Sequence, residues 1–564
     1  LPAANQFKGE TMSTLGQKVI YQLYPKSFYD SNHDGIGDLR GIIDKIDYLK
    51  KLHVDLIWFN PFYKSPLNDN GYDISNYKEI DPRFGTMADF EELVDKLGEA
   101  GIGVMLDMVL NHCSTEHEWF QKALAGDPYY QKFFYLRDPK PDGSLPTNWQ
   151  SKFGGPAWAK FGDTGKYYLH LYDPTQADLD WHNPDVRHHL QDVVRFWEKK
   201  GVKGLRFDVL NVIGKDEHFV DSTNIEEEKA LYTDTPIVHQ FIKELNQATF
   251  GRDPEIVTVA EMSSTSIENS IEYTRPNDHE VDMVFSFHHL KVDYDHGEKW
   301  SQVPFDFMKL KRLFFDWQNK MDQGGGWQAL FWNNHDQPWA LTRFGDPVNY
   351  RVESGTMLAT AIHLMRGTPY IYMGEEIGMI DPAYHSMADY VDVEAHNAYE
   401  RLIQEGHSEQ EAFAIVHSKA RDNSRTPMHW DDSEYAGFST VNPWLIPTDQ
   451  RQINVENEIA HGSIFNYYQR LIELRRTEQL ISEGHFSPLL EDDDQVLAYE
   501  RYLADQAERL LVLNNFYGTT TTVTLPDHWQ GRAVHKLIAN YEEEVTLFGD
   551  QVTLRPYESL VVKG

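Results

Sequence analysis

What this chain of 564 residues has least of is cysteine: Cys113 is its only one. A lone thiol cannot make an internal disulfide, so the chain is expected in a reducing, cytoplasmic compartment. His112 precedes it, but neighbours on an extended segment point to opposite faces, and Cys113 is read as buried and inert. Long apolar runs are missing as well. None approaches the ~18 residues that would cross a bilayer. The first residues, Leu1-Pro-Ala-Ala-Asn-Gln-Phe-Lys8, lack the apolar core of a secretory signal and are read as a leader ahead of Met12. Basic residues are also scarce. The chain sets 52 Lys and Arg against 88 Asp and Glu, a net charge of −36. That excess repels nucleic acid and acidic membranes and favours a soluble monomer. Any anionic ligand would need a local basic patch.

Against these absences stand eight short apolar runs. They lie at Val19–Pro25, Leu56–Pro61, Val104–Asn111, Gly204–Val209, Ile256–Glu261, Asp282–Phe287, Ala329–His335 and Pro369–Glu376. Each is nearly continuous rather than alternating, as strands buried on both faces require. Helical patterns separate them, among them Thr86–Ala100 and Pro184–Gly201, the latter opening on Pro and closing on Gly. The order implies an α/β fold, a (β/α)8 TIM barrel over residues 13–111 and 177–480. A Pro-, Gly- and aromatic-rich segment, 112–176, is read as an inserted subdomain after the third strand. From 481 to 564 alternation takes over, as in Val496-Leu-Ala-Tyr-Glu-Arg-Tyr, and predicts a C-terminal antiparallel β-sandwich. Its acidic runs, Glu491–Asp494 and Glu542–Glu544, read as solvated loops. The 14 Trp and 30 Tyr fit a large core first and sugar stacking second.

In a parallel barrel all strands deliver their C-terminal ends to one mouth. Asp208 closes Gly204-Leu-Arg-Phe-Asp208, Glu261 closes Ile256-Val-Thr-Val-Ala-Glu261, and Asp336 follows Asn334-His335. Three acids at one rim, beside Arg206, His335 and His112, cost stability unless chemistry uses them. Two carboxyls suffice to cleave a glycosidic bond, one as nucleophile or base and one as acid. Arg206 leaves the same strand face as Asp208 and is expected to keep it ionised. Glu261 has no cationic neighbour in its strand, a setting that favours the protonated acid. Asp30-Ser-Asn32-His-Asp34-Gly-Ile36-Gly-Asp38 places oxygen ligands as in most of a calcium loop, with Ile36 giving its carbonyl. It lacks the twelfth-position Glu, where Gly41 stands, and a structural Ca2+ is expected there.

Asp107-Met-Val-Leu-Asn-His112, Gly204-Leu-Arg-Phe-Asp208, Glu261 and Asn334-His-Asp336 resemble, in order, the four signature segments of the α-amylase superfamily, glycoside hydrolase family 13. The resemblance runs through nearly the whole chain. It implies that Asp208 is the nucleophile, Glu261 the general acid/base and Asp336 the transition-state stabiliser of a retaining hydrolysis. Asp69-Asn-Gly-Tyr72-Asp and Asn423-Ser-Arg425-Thr-Pro-Met-His-Trp430 are similar to the oligo-1,6-glucosidase group. That implies a closed glucose pocket of Asp69, Tyr72, His112, Arg206, His335 and Arg425, and removal of one terminal glucose. Gln176-Ala-Asp-Leu-Asp180 departs from the group's usual pattern at Ala177 and Asp180, which weakens any inference from it. Val209 resembles members that accept linkages other than α-1,4. Phe285-Ser-Phe-His288-His289-Leu-Lys291, continuing to Lys299-Trp300, together with Glu261-Met-Ser-Ser-Thr-Ser266, resembles a phospho-α-(1,1)-glucosidase branch. It implies a phosphorylated disaccharide as substrate, with His288, His289, Lys291 and Lys299 toward the phosphate. No organic cofactor is implied.

Overall fold

The computed structural model describes residues 14–262 and 264–564. The leader reading, Ser13 of the barrel range and Ser263 of the Glu261–Ser266 segment lie outside the described residues. Each of the eight apolar runs overlaps a strand: β1 Ile20–Leu23, β2 Leu56–Phe59, β3 Gly103–Met108, β4 Gly204–Phe207, β5 Val257–Glu261, β6 Met283–Phe285, β7 Ala329–Leu330 and β8 Thr368–Tyr372. They are hydrogen-bonded in the order β6-β5-β4-β3-β2-β1-β8-β7, which follows the chain around a nearly closed (β/α)8 barrel. Pairing is parallel for β1–β8, β3–β4, β4–β5, β5–β6 and β7–β8. Almost every strand residue is buried, which is why the runs read as continuous rather than alternating.

The strands stop short of the apolar runs. The run Ala329–His335 gives only two paired residues, because the segment beyond leaves the ladder and bonds through side chains instead. There Trp332 Nε1 donates to the Leu358 carbonyl at 2.7 Å and Asn333 to Glu375 at 2.8 Å. Helix α1, Met87–Glu99, starts at a Thr86/Asp89 capping box, and α2, Pro184–Lys199, starts at the Asn183 side chain with Pro at its first turn.

The described residues form two compact units, 14–57 with 287–564, and 58–286. In the second, His112–Ser114 pairs antiparallel with Gln176–Asp178. Between them lie two short helices and a three-stranded antiparallel sheet with Tyr167–Leu169 at its centre. Tyr135, Trp149, Trp158 and Leu171 pack with Val209 and Tyr232 as the core beneath that sheet. In the first unit, β9 His485–Leu489, β10 Val496–Tyr502, β11 Arg509–Asn515, β12 Thr521–Thr524, β13 His535–Ala539, β14 Gln551–Leu554 and β15 Ser559–Lys563 form the C-terminal β domain. A five-stranded antiparallel sheet, β9-β10-β11-β15-β13, and the β12–β14 pair enclose Leu511, Leu513, Val523, Trp529 and Leu554. Cys113 is buried, and burial pushes its thiol above the usual range, as expected of an inert residue. Among the described residues no helix is long and apolar enough to cross a membrane.

Candidate active site

Within residues 58–286 the acids gather on one guanidinium. Arg206 on β4 stands level with Asp107 on β3, so their side chains share a face. Arg206 Nη1 lies 2.9 Å from Asp107 Oδ1 and 2.9 Å from Asp208 Oδ1, while Nη2 lies 2.5 Å from Glu261 Oε2. Glu261 has no cationic neighbour in its own strand, as read, but the cation-free setting inferred from that does not hold. Its neighbour comes from the adjacent strand, where sequence proximity does not reveal it. The expectation that Arg206 keeps Asp208 ionised also fails as stated. Burial, reinforced by the Glu261 charge, raises the Asp208 carboxyl well above its ordinary range despite Arg206. Both carboxyls sit on the same guanidinium, which places the Glu261 charge beside Asp208. Two carboxyls held beside one cation are the pair of groups that a nucleophile and a general acid require.

Around this core the loop after β2 turns sharply. Asn70 and Gly71 both have positive φ, and a Cβ on Gly71 would meet the Pro61 carbonyl at 2.8 Å. The turn carries Tyr72, whose hydroxyl donates to Asp107 Oδ2 at 2.7 Å and accepts from Asn60 at 2.8 Å. Gln176 donates to Asp69 Oδ2 at 3.0 Å and to the Tyr72 carbonyl at 3.1 Å. His112 Nε2 faces the Tyr72 carbonyl at 3.2 Å and Nδ1 faces the Asn111 amide at 3.1 Å, which assigns the proton to Nε2. Burial lowers the imidazole to about 4, so it is a neutral hydrogen-bonding group at neutral pH. Val209, directly after Asp208, adopts φ 38°, a left-handed conformation that a β-branched residue resists. Its side chain is held in the Trp149–Tyr232 core, so packing sustains the strain that turns the chain at Asp208.

Three supporting residues escaped the sequence reading as individuals. Asp107 appears there only as the start of a segment, yet it anchors both Arg206 and Tyr72. Asp178 and Lys215 form a fully buried pair at 2.9 Å, and Lys215 also donates to Asn111 at 2.9 Å, fixing the amide that orients His112. The one available signal for Asp107 was an isolated acid in an otherwise apolar strand.

Within residues 14–57 and 287–564 a second cluster forms around Asp336. Its Oδ1 accepts from Arg425 at 2.9 Å and Arg421 at 3.4 Å, and its Oδ2 lies 3.2 Å from His335 Nε2. Gln22 donates to His335 Nδ1 at 2.9 Å, so the His335 proton points at Asp336. Arg425 also donates through Nε to the His335 carbonyl at 2.6 Å, locking the segment. Arg421 grips Asp392 through two 2.8 Å bonds, which, against the cost of burial, hold that carboxyl below the usual range.

The residues expected at a phosphate divide. Lys299 lies 2.5 Å from Glu394 Oε1, and Arg421 approaches the same oxygen at 3.8 Å. The His288 ring rests 5.8 Å from Trp317, and Lys291 follows at the end of the short turn His288–Leu290. His289 does not fit the role. Its Nε2 is 2.7 Å from the Phe331 carbonyl amid Phe314, Phe331 and Trp332, and burial lowers it to about 4. A neutral ring that spends its N–H on a carbonyl has none left for phosphate.

In the Asp30–Asp38 loop, Asp30 Oδ1 accepts from the His33 amide at 2.9 Å and Oδ2 from Ser439 at 2.6 Å. The Asn32 amide group reaches Asp30 Oδ1 at 2.9 Å and Asp34 Oδ1 at 3.0 Å, donating to both with its nitrogen turned inward. Asp38 caps the helix Leu39–Asp44 by accepting from Gly41 at 2.7 Å, and also accepts from Ser31. The Asn32 amide thus bridges Asp30 and Asp34 in a stretch rich in oxygen donors, although among the described residues no group of three or more His, Cys, Asp or Glu is placed to hold a metal ion.

Residues 22–484 match the family described as alpha amylase, catalytic domain, and residues 496–561 the alpha-amylase SusG C-terminal domain. The chain is 48% identical over 555 residues to trehalose-6-phosphate hydrolase of Bacillus subtilis, covering 97% of each. It is 43% identical to an oligo-1,6-glucosidase of Parageobacillus thermoglucosidasius, covering 97% of this chain and 98% of that one. Among solved structures, trehalose-6-phosphate hydrolase of Bacillus licheniformis superposes with a TM-score of 0.93 at 48% identity, covering 97% of this chain and 99% of that one.

Proposed function

The chain belongs to the α-amylase family of glycoside hydrolases, and from that premise we propose that it removes one glucose, with retention, from α,α-trehalose 6-phosphate, releasing glucose and glucose 6-phosphate. The observation that carries this reading is the Asp208–Glu261 pair held on Arg206, at 2.9 and 2.5 Å. Asp208 attacks the anomeric carbon while Glu261 gives its proton to the bridging oxygen, and glucose 6-phosphate leaves. Glu261, now ionised, takes a proton from water as that water attacks the glucosyl ester, freeing Asp208. Asp336, Arg425 and Asp69 hold hydroxyls of the same glucosyl unit, Tyr72 stacks on it, and neutral His112 and His335 complete the set. All three acids act on one sugar in this account.

Lys291 and Lys299, with His288, are assigned to the phosphate. In a chain of charge −36 a dianion needs such donors. Glu394 neutralises Lys299 in the absence of ligand and gives way to the dianion. The likeness to two trehalose-6-phosphate hydrolases, 48% and 46% identical, supports the phosphorylated substrate over the isomalto-oligosaccharides of the 43% identical relative. We further propose a structural Ca2+ on Asp30, Asn32, Asp34, the Ile36 carbonyl and Asp38. It would tie down the first loop of the barrel and take no part in the chemistry. A cytoplasmic monomer divided at 13–111 with 177–480, 112–176 and 481–564 completes the proposal. The experiment is kcat/KM on trehalose 6-phosphate against isomaltose. A preference of at least about tenfold, or 1.4 kcal/mol, for the phosphorylated sugar is expected. Equal values would instead assign the chain to the oligo-1,6-glucosidases.

A further inference from the structure

A cavity of about 980 Å3 lies wholly within residues 58–286, and none of its lining residues belongs to the Asp107–Arg206–Asp208–Glu261 cluster. Its floor is made of buried side chains: Tyr77, His117, Trp119 and Val193. Its rim is polar, with Asn76, Gln121 and Tyr130 among the groups that reach it. An apolar floor beneath a polar rim, in a space of this size, is how a small-molecule site is built.

His117 is the telling residue. It is 5% exposed, and its Nδ1 accepts the Trp119 amide at 3.0 Å as the cap of helix Glu118–Leu124. The ring proton is therefore on Nε2, and among the described residues nothing accepts it. That nitrogen is not sealed off from solvent, so in a cavity-lining residue it opens into the cavity. Burial lowers the ring to about 3, which keeps the group a neutral N–H donor. Such a donor is placed to bond a ligand oxygen in the cavity.

The chemistry of the lining selects the ligand. Lys64, Lys78 and Arg83 are balanced by Asp81, Glu116 and Glu118, and Arg83 is already held by Asp81 at 2.9 Å. With no surplus of positive charge the cavity does not favour an anion. Ring floor, neutral donor and mixed amide and hydroxyl rim suit a neutral, hydroxyl-rich molecule. We propose that this cavity is a second binding site for an unphosphorylated sugar of glucose or disaccharide size. It also has a physical route to the first: the Tyr77 hydroxyl on its floor lies 2.7 Å from the His112 carbonyl and 2.9 Å from that of Val109.

Equilibrium dialysis of the full chain against radiolabelled glucose tests the site by difference. His117→Asn keeps an acceptor for the helix cap but withdraws the Nε2–H. Gln121→Trp fills the cavity from its exposed rim. The wild type should bind one equivalent of glucose more than either variant. Because only that difference counts, the result stands whether or not the catalytic assignment above holds. Equal stoichiometry in the wild type and either variant overturns the site.

Discussion

Arg206 donates to Glu261 across two strands at 2.5 Å while its other terminal nitrogen holds Asp208 at 2.9 Å. One guanidinium thereby sets the spacing of both carboxyls, with Asp107 fixing it from behind. Replacing it by an apolar side chain leaves three buried acids facing one another. Arg206→Met should cost about 3–5 kcal/mol of stability, part of it recovered by proton uptake. Its kcat should fall by about 10³ or more, as measured by denaturant unfolding and steady-state turnover. Wild-type stability in this variant would show that the acids find another partner.

A quieter support lies behind Asp336. Asn333 donates to Glu375 Oε1 at 2.8 Å and accepts from the Ala340 amide at 2.8 Å, while Tyr468 donates to Glu375 Oε2 at 2.7 Å. Burial raises Glu375 to about 7, so the group is poised between acid and carboxylate at neutral pH. Glu375→Gln can keep both contacts once the Tyr468 hydroxyl turns to accept, and should stay within about threefold of wild-type kcat. Glu375→Leu orphans two buried groups, costs about 2 kcal/mol, and should lower kcat more than it raises KM. Equal losses in both variants would refute the positioning role.

His363 gives a sign-specific pH test. It is fully buried with neither ring nitrogen bonded, and burial, aided by the Arg475 charge, lowers it to about 3. Between pH 6.5, the ordinary histidine value, and about 3, the unfolded chain binds a proton that the folded chain refuses, so stability falls as pH falls. His363→Phe removes that penalty. Relative to wild type, the variant should gain about 3 kcal/mol on going from pH 7 to pH 4.5. Unfolding curves at the two pH values decide it, and a pH-independent difference would contradict the burial argument.

The barrel was legible because its strands are buried on both faces. Uninterrupted runs such as Leu56–Phe59 and Val257–Glu261 carry that signature without any partner in view. Strand ends were not legible, since Phe331–His335 is as apolar at its start as a strand yet spends its polar groups on Leu358 and Glu375. Residue types at strand ends were enough to single out Asp208, Glu261 and Asp336. What reading along one strand cannot supply is cross-strand geometry. Arg206 follows Asp208's face by period two, but its bond to Glu261 depends on the β4–β5 register, and the acid that anchors it depends on β3–β4. His289 misled for a related reason: a histidine beside a lysine looks like an anion site until its ring is found against the Phe331 carbonyl.

The most direct measurement is the site of the covalent intermediate. Glu261→Gln, given a glucoside with an activated leaving group, needs no acid for the first step and lacks the base for the second, so the glucosyl-enzyme should accumulate. Peptide mass spectrometry should find one glucosyl unit on the peptide bearing Asp208, and none when Asp208→Asn is added. A glucosyl unit on any other residue, or turnover without an adduct, would contradict the account.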